Sequence, residues 1–168
     1  MSSVVIFSPS RYSLYTISVT ELLRRSGVDV RAVIVRKLVN PGRFVSEFRR
    51  DGSRLLKKIW KKLVLRERAY SEQTFETMAS FMHTEGIAFK SVDTITKAYD
   101  IPIQYCRDLN DPEVVQTLQH LKPDLVVFTG GGLIRKEVLA NAGAGVVNCH
   151  MGMLPSYRGM DVVEWPIL

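Results

Sequence analysis

The chain has 168 residues and a mass of 19.0 kDa, 46% of them hydrophobic and 24% charged, which is room for one domain with a core of its own. That composition excludes low-complexity, disordered and collagen-like sequence. The longest apolar runs (Val4 to Phe7, Ala32 to Val35, Leu125 to Phe128) are four residues, far short of the about 18 to 20 of a membrane span or the about 7 to 15 of a signal peptide, so the chain reads as cytoplasmic.

The net charge of +6 is unevenly spread. Arg36 to Arg68 holds twelve Lys or Arg against three acids, a local excess of +9, and the other residues sum to −3. Any anionic partner must therefore be met by that one segment. Cys106 and Cys149 have no spacing that suggests zinc or a redox pair, and both read as reduced, buried thiols.

In chain order, Val4 to Phe7 is a strand apolar on both faces, as parallel strands are. A helix follows, with Ser13 as N-cap, a stripe of Leu14, Tyr15, Val19, Leu22 and Leu23, and Gly27 as its stop. Residues 29–36 form a second buried strand, which makes a βαβ opening. Residues 37–100 then break the alternation. Between Ser53 and Arg68 the apolar residues Leu55, Leu56, Ile59, Trp60, Leu63 and Val64 share one helical face, and Arg54, Lys57, Lys58, Lys61, Lys62 and Arg66 the other. That basic face is either a solvated surface or a contact for an acceptor phosphate, RNA or an anionic membrane surface. A weaker helical stretch runs near 72–82.

Alternation returns with a strand over 101–106 and a helix opened by Asp111-Pro112-Glu113, with a stripe of Val114, Val115, Leu118 and Leu121 and a stop at Pro123. Leu125 to Phe128 is a strand that runs into Thr129-Gly130-Gly131-Gly132. A short helix over 135–141 and a last strand over 145–149 follow. The order of elements specifies a Rossmann-like, doubly wound, mostly parallel α/β sheet with a basic helical insertion, residues 37–100, after its second strand. Ligands of such sheets sit at the carboxyl ends of the strands.

On the last strand the period of two turns Val146, Asn148 and His150 one way, with Val147 and Cys149 opposite. An amide that can donate to an oxyanion and an imidazole that can move protons near neutrality thus emerge together where a ligand crevice should lie. By spacing alone this pair is either catalytic or structural. The Gly run lacks the spacing of a dinucleotide fingerprint, and no metal-ligand cluster is legible.

The segment from Asp124 to Phe128, its Gly-rich turn, Gly145-Val146-Val147-Asn148-Cys149-His150 and then Leu154-Pro155-Ser156-Tyr157-Arg158-Gly159 resembles the formyltransferase family, whose members act on methionyl-tRNA, glycinamide ribonucleotide or amino sugars. The resemblance covers residues 123–168 and matches the amino-terminal βαβ unit in pattern only. It implies transfer of a formyl group from 10-formyltetrahydrofolate, as co-substrate, to an amine of an aminoacyl-tRNA, a nucleotide sugar or a similar acceptor. Asn148 then matches the oxyanion-stabilising residue and His150 the proton-transfer residue. Gly131, Gly132, Leu133 and Ile134 match the segment that packs on the folate pterin, and Ser10, Arg11, Tyr157 and Arg158 match positions near the acceptor. Two rival readings are hydrolysis of the same formyl-folate and a catalytically incomplete folate- or RNA-binding module.

The chain departs from the family pattern in three ways. The family's catalytic Asp belongs well past His150, and Asp161 stands too close to serve. Gly152 stands where a Ser is common, and Met160 to Trp165 differs from the tRNA-acting members. Residues 1–168 are thus expected to be the amino-terminal portion of one domain, lacking that Asp. Its last strand would be an uncovered edge that invites pairing with a second copy.

Overall fold

The computed structural model describes residues 2–37 and 77–148. Five strands, β1 (Ser3–Ser8), β2 (Asp29–Arg36), β3 (Ile103–Cys106), β4 (Leu125–Phe128) and β5 (Val146–Val147), form one sheet in the order β3-β2-β1-β4-β5. All four pairings are parallel. The expected doubly wound architecture is present, with β1 at the centre and the reversal of strand order between β1 and β4.

Helices cover both faces: α1 (Leu14–Arg25), α2 (Met78–Thr84), α3 (Val92–Ala98), α4 (Pro112–Leu121) and α5 (Lys136–Leu139). Strand alternation divides the core in two. Val5, Phe7, Ile34, Val126 and Phe128 meet Val114, Leu118 and Val138 of α4 and α5 on one face. Val4, Ile6, Val33 and Val35 meet Ile17, Met82, Val92 and Ile95 of α1, α2 and α3 on the other. The register between β1 and β2 slips between Val4 and Val5, which leaves Arg31 as an extra residue in β2.

Several sequence expectations need correction. The predicted stripe of α1 is only in part its packing face: Leu23 packs against the core, but Leu14 and Leu22 are each 37% exposed, while Thr16, Ile17, Thr20 and Glu21 are buried. The buried polar groups there are satisfied, which removes the penalty that would otherwise turn them outward. The Thr20 hydroxyl donates to the Thr16 carbonyl at 2.7 Å, and Glu21 accepts from Arg25 Nε at 2.8 Å and Tyr99 OH at 2.7 Å.

Helix α3 was not legible in the sequence; it is closed by a reciprocal capping box between Ser91 and Thr94. Strand β3 begins at Ile103, two residues later than expected, and α5 is shorter than its expected 135–141. The basic stretch from Ser53 to Arg68, and Cys149, lie outside the described residues. Cys106 is a free, buried thiol; burial, its largest influence, pushes its pKa up to about 11.

Candidate active site

The carboxyl ends of β1 and β4 are locked together. A side chain at Gly130 would place its Cβ 2.9 Å from Pro9 Cβ and 3.2 Å from Phe128 Cε2, so only glycine lets the two strand exits pack this closely. Beneath them runs a chain of buried hydroxyls. Ser8 Oγ and Thr16 Oγ1 lie 2.7 Å apart, as do Thr16 Oγ1 and Thr129 Oγ1. Thr129 donates to the Phe7 carbonyl at 2.9 Å, and Ser8 to the Ser10 carbonyl at 2.8 Å. Both exit loops are thereby held from below by paired polar groups.

Asn148 leaves β5 and donates from Nδ2 to the Gly130 carbonyl at 3.2 Å. That bond uses one of its two N–H groups and orients the amide. Asn148 is exposed at this mouth. The structure brings Asn148 to the head of the Gly-rich turn, just past β5, which spans Val146–Val147 and not the expected 145–149. His150, Tyr157 and Arg158 lie outside the described residues.

Beside the turn is a cleft of about 250 Å³ lined by Arg36, Asp108, Asn110, Phe128, Gly131 and Gly132, with Leu109, Leu133 and Arg135 completing the wall. This is smaller than the roughly 300–1,000 Å³ of drug-sized ligand sites. Its floor is the buried Phe128 ring. Gly131 faces open space, and Gly132 has φ +138° with Arg36 Nη1 3.5 Å from where its Cβ would stand. A flat heterocycle can approach the backbone along this edge. Among the four expected cofactor residues, Gly131, Gly132 and Leu133 line the cleft, and Ile134 packs against the core beside it.

Sequence reasoning missed Arg36, Asp108 and Asn110. They come from the ends of β2 and β3, and no local spacing links them to the Gly turn. Burial raises the Asp108 pKa, but the backbone and side-chain hydrogen bonds of Asn110, with Arg135 and Arg36 nearby, outweigh it and hold the carboxyl below its ordinary value. Cleft and loop thus carry a fixed negative charge at neutral pH between two arginines.

Ser10 and Arg11 follow β1. The Arg11 guanidinium engages Asp93 Oδ2 through Nε and Nη2, each at 3.1 Å, and its carbonyl accepts the Val92 N–H at 2.8 Å. Arg11 is thus docked on the start of α3, with its side chain half exposed. Among the described residues no cluster of His, Cys, Asp and Glu could hold a metal ion, and no helix is long and apolar enough to cross a membrane.

A doubly wound parallel sheet with a cleft at the β4 exit places the chain in the class of open α/β folds. Within that class the matching family model is that of the formyl transferases, over residues 66–168, and the chain belongs to this family. It is 37% identical over 84 residues to the methionyl-tRNA formyltransferase of Synechococcus elongatus, a match over 49% of this chain and 26% of that protein. It is 35% identical over 72 residues to the corresponding protein of Alkaliphilus oremlandii, over 42% of this chain and 23% of that one. The matches therefore span about a quarter of the length of these curated relatives. The fold resembles those of phosphoribosylglycinamide formyltransferase from Bacillus halodurans (TM-score 0.52, 17% identity, 99% of this chain and 64% of that one) and glycinamide ribonucleotide transformylase 1 from Geobacillus kaustophilus (TM-score 0.53, 12% identity, 99% and 67%).

Proposed function

We propose that the chain is the amino-terminal, folate-binding part of an enzyme that transfers the formyl group of 10-formyltetrahydrofolate to an amine. The observation that most supports this reading is the Asn148 amide held on the Gly130 carbonyl, beside a cleft edged by glycine backbone. The co-substrate supplies an electrophilic formyl carbon. Attack by the amine puts negative charge on the formyl oxygen, and the second N–H of Asn148, which has no partner among the described residues, can donate to it. His150, two residues further on, takes the proton that the amine loses as its C–N bond forms; collapse of the tetrahedral intermediate breaks the bond between the formyl carbon and N10, and tetrahydrofolate leaves with that proton on its nitrogen. The Gly131 to Ile134 segment lies against the pterin ring, and Ser10, Arg11, Tyr157 and Arg158 meet the acceptor.

The acceptor amine is carried on an anionic molecule, a tRNA or a nucleotide sugar, and the excess of +9 between Arg36 and Arg68 is what favours this. The chain is read as a single domain that works in the cytoplasm; of the stretch 37–100 first read as a basic insertion, residues 78–98 supply α2 and α3 to the core, so the insertion is confined to the residues before them.

The test is formyl transfer from 10-formyltetrahydrofolate to a panel of amines. With the accepted amine, Asn148→Ala should lower kcat by about 100- to 1,000-fold, as loss of one oxyanion donor does. Wild-type turnover in Asn148→Ala would overturn the assignment of Asn148. Release of formate with no amine present, at the same rate as with it, would make the protein a hydrolase instead.

A further inference from the structure

The loop between β3 and α4 reaches the Gly-rich turn across 23 to 25 positions of sequence through one side chain. Asn110 Nδ2 donates to the Leu133 carbonyl at 2.9 Å, and Asn110 Oδ1 accepts from the Arg135 N–H at 2.7 Å. One planar amide thus pairs with the carbonyl of one residue and the N–H two residues on, as a neighbouring strand would. The same Nδ2 also donates to Asp108 Oδ1 at 2.8 Å, and the Asn110 backbone N–H donates to that oxygen at 2.8 Å. Asp111 Oδ2 holds the base of the loop by accepting the N–H groups of Arg107 and Asp108 at 3.2 and 3.0 Å. These partners fix the orientation of the amide, because only its nitrogen can face a carbonyl and a carboxylate together.

Among the described residues, the other restraints on the turn here are the packing of Ile134 against the core and the α5 N–H groups that bond the Arg135 carbonyl. Leu133 is 75% exposed, and the preceding Gly131 and Gly132 carry the greatest backbone freedom of any residue type. Resting on the reading of the cleft as a formyl-folate site, we propose that Asn110 is a positioning residue for that ligand: its amide holds the Leu133 to Arg135 backbone in the form that lines the cleft. At neutral pH no other residue type of this size supplies a donor and an acceptor at once. Asn110→Asp keeps the shape but sets a carboxylate against the Leu133 carbonyl and the Asp108 carboxylate. Asp111 adds a further negative charge on the same loop, and Arg135 and Arg36 are the cations acting on this corner.

The experiment is calorimetric titration of the full chain with 5-formyltetrahydrofolate, for wild type, Asn110→Ala and Asn110→Asp. Both variants should raise Kd by about tenfold at pH 7.5, about 1.4 kcal/mol, with the thermal midpoint within about 2 °C of wild type. Acidification should restore Asn110→Asp towards the wild-type Kd at the same pH, because a protonated carboxyl again donates and accepts, and should leave the deficit of Asn110→Ala unchanged. In turnover the loss should fall on the KM for formyl-folate, with kcat little changed. Wild-type Kd values in both variants would overturn the role of Asn110 while leaving the folate reading intact. Absence of binding by the wild type itself would overturn both.

Discussion

Asp93 joins three parts of the molecule through one carboxylate. Its Oδ2 takes the Arg11 guanidinium from the β1 exit, and its Oδ1 takes the Tyr105 hydroxyl from β3. Burial, and then the hydrogen bond to Asp93, push the Tyr105 phenol from 10.0 up to about 12. The folded chain thus keeps this proton more tightly than the unfolded chain does. The resulting stabilisation is complete below pH 10 and is lost as the pH rises through about 12. Cys106, raised from 9.0 to about 11, acts in an overlapping window, so the Tyr105 share is isolated by difference. Urea titrations at intervals from pH 9 to pH 11.5 should show stability falling less steeply in Tyr105→Phe than in wild type. Equal slopes would mean that the phenol titrates alike in both states.

At the scale of elements, α1 is the clearest case of physics overriding pattern. Ile17 is fully buried among Val4, Ile6 and Val33, whereas Leu22 is substantially exposed. Ile17→Ala should cost about 2–5 kcal/mol of unfolding free energy, and Leu22→Ala less than about 1. Reversal of that order in denaturant titrations would restore the leucine stripe as the packing face. Strands β1, β2 and β4 were readable because each carries four consecutive apolar residues, which only a doubly covered sheet accommodates. The buried face of α1 was not, because Thr16 and Thr20 tolerate burial only through partners that periodicity does not reveal. Helix α3 escaped because its seven residues offer little more than Val92 and Ile95 as an apolar signal. At the site, Asn148 and the Gly turn were singled out by the family resemblance of the surrounding sequence; spacing alone left Asn148 either catalytic or structural. Asn110, Asp108 and Arg36 were not singled out, since they reach the turn only after the four strands from β3 to β4 have paired.

The whole molecule separates its charge along the chain, and that division sets a salt test. Replacing Lys57, Lys58, Lys61 and Lys62 with Gln should weaken binding of an anionic acceptor and flatten the dependence of log K on log salt concentration. An unchanged affinity and slope would show those lysines to be solvated. The central place of β1 has a different consequence, for the order of assembly during synthesis. Ser3 and its partner Asp124 stand 121 positions apart, so the middle strand leaves the ribosome long before one of its two neighbours exists. With β2 alone beside it, the nascent chain presents the Val4 to Phe7 backbone on one side with nothing to receive its hydrogen bonds. Closure of the sheet must wait for β4, and the loop to be closed by then is most of the chain. The half-built sheet therefore carries an unpaired edge, the feature on which pairing with another chain starts.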